Sequence, residues 1–139
     1  MKSEQRGVTL VELLIVVVIV AILAAVAYPM YQNQLRKGSR AAAQAQMVNI
    51  ANREAQYLLD ARNYAVGAAA LTELNVSLPT EVTGFYTVTI VNSAGGTTPS
   101  TPPTFTIKGT PIAGSRQAPD GELTLTHEGA KTRAGNPGW

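Results

Sequence analysis

Between Leu13 and Tyr28 the chain carries no charged or strongly polar residue, and extending that run back to Val8 gives 21 residues interrupted only by Thr9 and Glu12. At ~1.5 Å per residue such a helix is about 30 Å long, enough to cross the hydrocarbon core of a bilayer. A buried helix of a soluble protein rarely runs so far without a polar face. A secretory signal peptide is the competing reading, but its apolar region usually spans about 7–15 residues. The small residues Ala21, Ala24, Ala25 and Ala27 leave a conventional cleavage site conceivable. Glu12 is the anomaly, because a carboxylate at the bilayer centre costs roughly 2.5–3.5 kcal/mol on insertion scales. Charge does not fix the orientation of the segment: Lys2 and Arg6 precede it, and Arg36, Lys37 and Arg40 follow it.

The remainder is polar and rich in Ala, Thr, Gly and Pro, so its core must be small. The chain has 139 residues, which suits one domain rather than two. A net charge of +2 demands no strongly charged partner, and the absence of cysteine excludes disulfides and thiolate metal sites. Pro29 removes a helical hydrogen bond and predicts a kink. Ala41, Ala45, Val48, Ala51, Ala55 and Leu58 then recur at spacings of three and four, which predicts one buried helix face. Helix from Val8 to Asp60 would run roughly 80 Å. A short helix is expected near 68–74. Residues 83–91 (TGFYTVTIV), 104–108 (TFTIK) and 122–126 (ELTLT) predict three strands, and 92–103 a loop. Alternation at Phe105, Ile107, Leu123 and Leu125 predicts an antiparallel meander with one face laid on the alanine stripe.

Gly7-Val8-Thr9-Leu10-Val11-Glu12 followed by the apolar run resembles the type III signal of type IV pilins and pseudopilins. Val8 replaces the usual Phe. AILAAVAYPMYQNQLRKGSRAAAQAQ is similar to the first helix of a type IVa pilin. The resemblance implies an α+β fold, a long amino-terminal helix on a small antiparallel sheet. It also implies a leader (1–7), a hydrophobic transmembrane or filament-core helix (8–29), an amphipathic continuation (30–60), a connecting loop (61–82), and a sheet with its tail (83–139). A prepilin peptidase of the inner membrane would cut between Gly7 and Val8 and methylate the amino group of Val8. The leader would stay cytoplasmic. The chain would sit in the bacterial inner membrane as a single-pass protein, contact lipid and an assembly platform there, and move into an extracellular pilus. Glu12 would pair with the amino group of Val8 on a neighbouring subunit and so set axial register. Where relatives carry a mid-run glycine this chain has Ala21, so any helix melting is expected nearer Pro29.

The end of the chain, from Phe105-Thr106 through Pro111, Gly121, Leu123-Thr124-Leu125 and Gly129 to Trp139, is similar to the tail of type IVa minor pilins. Those tails carry two cysteines where Asp120 and Gly138 stand here. The disulfide, typically worth about 2–4 kcal/mol, is therefore missing, and the tail is either held by Trp139 or left mobile.

No phosphate loop, dinucleotide fingerprint or nucleophile motif is present, so no enzyme is expected. The resemblance implies no cofactor and no metal, although Asp120 and Glu122 flank a turn that could hold calcium with backbone help. His127, the only histidine, is expected to be exposed. Three readings follow. The leading one is a pilus subunit, more a minor than a major pilin, that helps prime or join filament assembly and so supports twitching motility, adhesion or DNA uptake. The second is a type II secretion pseudopilin. The third is a membrane-anchored binding protein that never polymerises, with Lys108, Arg116, Lys131 and Arg133 as contacts to nucleic acid. The basic cluster Arg36, Lys37 and Arg40 could meet lipid phosphates, neighbouring subunits or simply solvent.

Overall fold

A computed structural model describes residues 8–139; residues 1–7, Gly7 among them, lie outside the described residues. The chain divides into two units at Leu35–Arg36, and one helix contributes to both. That helix, α1 (Leu10–Ala61), contains Pro29. It stops where Arg62 adopts a left-handed conformation (φ 56°) and its N–H donates to the carbonyl of Leu58 at 2.9 Å. Glycine usually fills that position, so the sequence carries no stop signal there.

The second unit continues through two single-turn helices, α2 (Ala70–Glu73) and α3 (Thr80–Thr83), into a five-stranded sheet. Its strands are β1 (Tyr86–Val91), β2 (Thr106–Pro111), β3 (Leu123–Thr126), β4 (Lys131–Arg133) and β5 (Asn136–Pro137). They form an antiparallel meander in chain order, with Ile90 opposite Ile107 and Ile107 opposite Leu125. Residues 83–91 are not one strand. Thr80–Thr83 turns as a helix after Pro79 because that buries Val82 completely, and strand geometry starts only at Tyr86. The last two strands were not expected. Their hairpin turns at Ala134-Gly135, both at positive φ (49° and 79°), a conformation that an alanine does not advertise. Gly121 (φ 80°) is required where it stands, since a Cβ there would lie 2.5 Å from that of Ala134.

The helix face against the sheet differs from the predicted stripe. Ser39, Ala43, Met47, Ile50 and Glu54 are buried, whereas Ala41, Ala45, Val48 and Ala55 are exposed and Ala51 and Leu58 are half-buried. The two faces are offset by one or two residues, about a third of a turn. Met47 and Ile50 bring more apolar surface to the core than alanines can. Both polar members of the buried face find a partner, Ser39 Oγ accepting from Arg116 Nη2 at 2.9 Å and Glu54 Oε2 from the Ala65 N–H at 2.9 Å, while Glu54 Oε1 is buried without one. Tyr86, Ile90, Phe105, Ile107, Leu123 and Leu125 supply the sheet side of the core.

A polar cluster ties α1 to the segment before β3. Asp120, 5% exposed at its side chain, accepts from Arg40 Nε at 2.7 Å, and its other oxygen pairs with Arg40 Nη2. The Tyr86 hydroxyl donates to it at 2.9 Å and Gln117 Nε2 at 3.0 Å. Gln117 Nε2 also reaches the Arg36 carbonyl at 3.1 Å. Burial pushes the Asp120 carboxyl up, but the hydrogen bonds from Arg40, Tyr86 and Gln117 together outweigh it and hold its pKa below the usual value. The pairing raises the pKa of Arg40, and burial followed by the bond to Asp120 raises that of Tyr86. Arg40 is thus engaged in the fold rather than held for lipid. Asp120 and Glu122 do not converge, since Glu122 accepts from Thr110 Oγ1 at 3.1 Å.

The tail is docked: Trp139 Nε1 donates to the Thr124 carbonyl at 3.0 Å, and the Lys131 ammonium lies 4.6 Å from the indole centroid. His127 is half-buried rather than exposed, its ring edge against Phe105 at 6.3 Å between centroids.

Two outcomes follow. Asp120→Ala strands the Arg40 guanidinium and should cost about 3 kcal/mol, the low end for breaking a buried pair, read by urea unfolding of the chain in detergent. Because the folded pKa of Asp120 is depressed, its contribution is present above its ordinary pKa of about 3.9 and is lost as pH falls through the folded value. Glu54 behaves in the opposite sense. Burial lifts its pKa from 4.5 to about 7, against the Ala65 hydrogen bond and with Glu73 adding to the rise. Between those two values the folded chain holds a proton that the unfolded chain has released, so stability falls as pH rises through that window and levels off above it. Glu54→Gln should remove that slope and leave the chain more stable than the parent at pH 8; an unchanged slope would contradict the assignment.

Candidate functional site

The first turn of α1 explains part of the opening anomaly. Thr9 Oγ1 accepts from the Glu12 N–H at 3.2 Å, and the Thr9 carbonyl accepts from the Leu13 N–H at 3.2 Å. Thr9 therefore caps the helix, and Glu12 is three residues on, in the spacing of a capping box. A carboxylate in the first turn also meets the positive end of the helix dipole. The Thr-x-x-Glu spacing is itself a helix-start signal in the sequence.

Beyond the cap the helix presents apolar side chains on every side. Every large apolar residue from Val8 to Tyr31 is at least 49% exposed within the chain. The segment is long and apolar enough to cross a membrane. Burying one Val, Leu or Ile is worth about 1.5–3 kcal/mol, so leaving the whole set in water would cost on the order of tens of kcal/mol. That exceeds the roughly 5–15 kcal/mol by which a domain is stable. Such a surface requires lipid or other apolar protein around it. Val8, Glu12 and Pro29 are distributed along this helix rather than gathered at one point: Val8 precedes its first turn, Glu12 is exposed in that turn, and Pro29 lies inside the helix with exposed neighbours.

The four cations considered for nucleic acid are not equivalent. Arg116 stacks on the Phe85 ring at 3.9 Å and donates to Ser39, so it is spent on the fold. Arg133 is 4.0 Å from Asp120. Lys131 covers Trp139. Lys108 stands on the sheet face opposite the core, between Thr89 of β1 and Thr124 of β3. That face is largely threonine: Thr87, Thr89, Thr106, Thr110, Thr124, Thr126 and Thr132 share it, and the Thr124 and Thr132 hydroxyls are 2.6 Å apart. Among the described residues no cluster of His, Asp and Glu is arranged to hold a metal ion.

Comparison with known proteins places these features. A family model described as "Type IV minor pilin ComP, DNA uptake sequence receptor" matches residues 29–124, and one described as "Prokaryotic N-terminal methylation motif" matches residues 2–28. The type IV major fimbrial protein FimA of Dichelobacter nodosus is 60% identical over 37 residues, 27% of this chain and 24% of that protein. The prepilin peptidase-dependent protein D of Escherichia coli is 56% identical over 37 residues. The fimbrial protein EcpC of Eikenella corrodens is 35% identical over 106 residues, 70% of this chain and 60% of that protein. The chain thus spans about a quarter of the length of the first two relatives. A solved type IV pilin from Shewanella oneidensis is 24% identical with a TM-score of 0.49, covering 75% of this chain and 98% of that one. A match over residues 29–124, joined to a methylation motif over the segment before it, makes this chain a member of the type IV minor pilin family, with a prepilin signal.

Proposed function

We propose that the chain is a structural subunit of a type IV pilus that joins or primes filament assembly, and not an enzyme. The observation that carries the reading is the capped first part of α1, apolar and exposed through Tyr31, with Glu12 as the one carboxylate in its first turn. In this reading a prepilin peptidase cuts the Gly7–Val8 bond and the new amino group of Val8 is methylated. The chain waits in the inner membrane with its leader in the cytoplasm, and the assembly platform then extracts it into the filament. In the filament the apolar surface exchanges lipid for neighbouring pilins. Glu12 loses water at that step, and a buried carboxylate needs a partner. The amino group of Val8 on a neighbouring copy, a cation at the same helix end, supplies one only in the correct register. Glu12→Leu keeps the apolar surface and removes the charge. It should leave Gly7–Val8 processing intact while the processed chain is lost from sheared filaments, measured by mass spectrometry. Normal incorporation of the Glu12→Leu chain would contradict the register role.

A second activity, DNA contact, is favoured by the description of the family model over residues 29–124 and by Lys108 on the sheet face opposite the core. Each phosphate neutralised by a lysine steepens the dependence of binding on salt by roughly 0.9 in a log–log plot for duplex DNA. Replacing Lys108 by alanine should therefore flatten that slope by about one and weaken binding, read by fluorescence anisotropy across a salt series. An unchanged slope would place the DNA contact elsewhere or remove it.

A further inference from the structure

β1 is an edge strand, paired with β2 on one side. The Ile112 N–H donates to the Phe85 carbonyl at 2.9 Å, and this fixes the phase of the ladder. Thr87, Thr89 and Val91 turn their main-chain groups toward β2, whereas Val88 and Ile90 turn theirs off the edge. The chain itself covers part of that edge, since the Gly67 N–H donates to the Ile90 carbonyl at 2.8 Å. No hydrogen bond among the described residues uses the N–H or the carbonyl of Val88 outside the sheet.

Beside Val88 lies a groove of about 360 Å³, lined by Ala68 and Leu71 from the segment before β1, by residues 88–91 of β1 itself, and by Gly67 and Thr97. Gly67 stands at φ 95°, and a Cβ there would lie 2.6 Å from the Thr97 carbonyl oxygen, so the two segments meet as closely as backbone allows. The volume falls at the lower end of the range for ligand sites, about 300–1,000 Å³, and suits a few residues rather than a domain. The strand also lacks the usual protection of an exposed edge. Its sequence, YTVTIV, is made of strand formers and contains no charge and no proline.

We propose that this groove takes up an uncharged, extended peptide segment, which pairs with Val88 as an added strand on the edge of β1. A main chain supplies, at strand spacing, both an acceptor for the Val88 N–H and a donor for its carbonyl. It would continue the pairing that Gly67 begins at Ile90. Charge selects among segments. No lining residue is charged, and the stretches they come from, 63–72 and 82–107, contain no Asp, Glu, Lys, Arg or His. A charged side chain entering the groove would lose water without gaining a partner, whereas small apolar and threonine side chains meet no such cost. The inference depends neither on filament assembly nor on DNA contact.

The test is an amide-resolved NMR titration of the isotope-labelled full chain in detergent with acetyl-Ser-Val-Thr-Val-Ser-amide. The Val88 amide is expected to shift and saturate, with Gly67 and Thr97 moving too, and its hydrogen exchange to slow by roughly tenfold as the new bond forms. The same peptide N-methylated at its central residues keeps its side chains and loses its donors, and should bind roughly tenfold more weakly. Ala68→Trp, at an exposed position, fills the groove and should abolish the Val88 shift while leaving the amides of β3 and β4 in place. Millimolar peptide that leaves Val88 unmoved, shifts confined to the apolar part of α1, an N-methylated peptide that binds as well as its parent, or tighter binding when the two valines are replaced by lysine or aspartate would each overturn the proposal.

Discussion

The apolar surface of α1 is the constraint on which everything else depends. From Val8 to Tyr31 no large apolar side chain finds cover within the chain, and the cost of leaving that surface in water exceeds what folding of the remainder can offset. The protein is therefore incomplete by itself. Lipid or other subunits must finish it, and a subunit that exchanges one for the other without refolding is suited to assembly. The Thr9–Glu12 cap fits this demand, because it satisfies a donor at the helix start from within the chain.

The second unit solves a different problem, a small core with no cysteine to brace it. Its answer is polar. Arg40 of α1 holds Asp120, while Tyr86 and Gln117 complete the hydrogen bonding around that carboxylate. An ion pair therefore joins α1 to the segment before β3. Unlike a disulfide it is sensitive to acid. Trp139, bonded to the Thr124 carbonyl, secures the far end of the chain against β3.

The long helix, the three longer strands and their order could be read directly from apolar periodicity, which is a local signal. What could not be read depended on contacts between distant residues. The alanine stripe lost to Met47 and Ile50 because the sheet selects a helix face by the volume it fills, and the buried face contains Ser39 and Glu54, which look exposed until Arg116 and Ala65 are brought to them. The turn at Ala134-Gly135 lacks the usual asparagine or aspartate before its glycine, so β4 and β5 gave no sequence signal. The amino-terminal residues Gly7, Val8, Glu12 and Pro29 were identified through a motif, not through tertiary geometry, and of these Gly7 lies outside the described residues. Arg40 and Asp120 are 80 residues apart, and nothing in the sequence announces their pairing.

The chain contains no cysteine, so a single introduced cysteine reports on one position. The most direct test of the account places one at Val16, Ile19 or Leu23, and a control at Thr98, and exposes intact cell envelopes and sheared filaments to a thiol reagent that cannot enter lipid. The account predicts labelling at Thr98 in filaments and protection at the three helix positions in both preparations. Reaction along the helix in either one would mean that its apolar surface stands in water, and would contradict the claim that lipid or neighbouring subunits complete this protein.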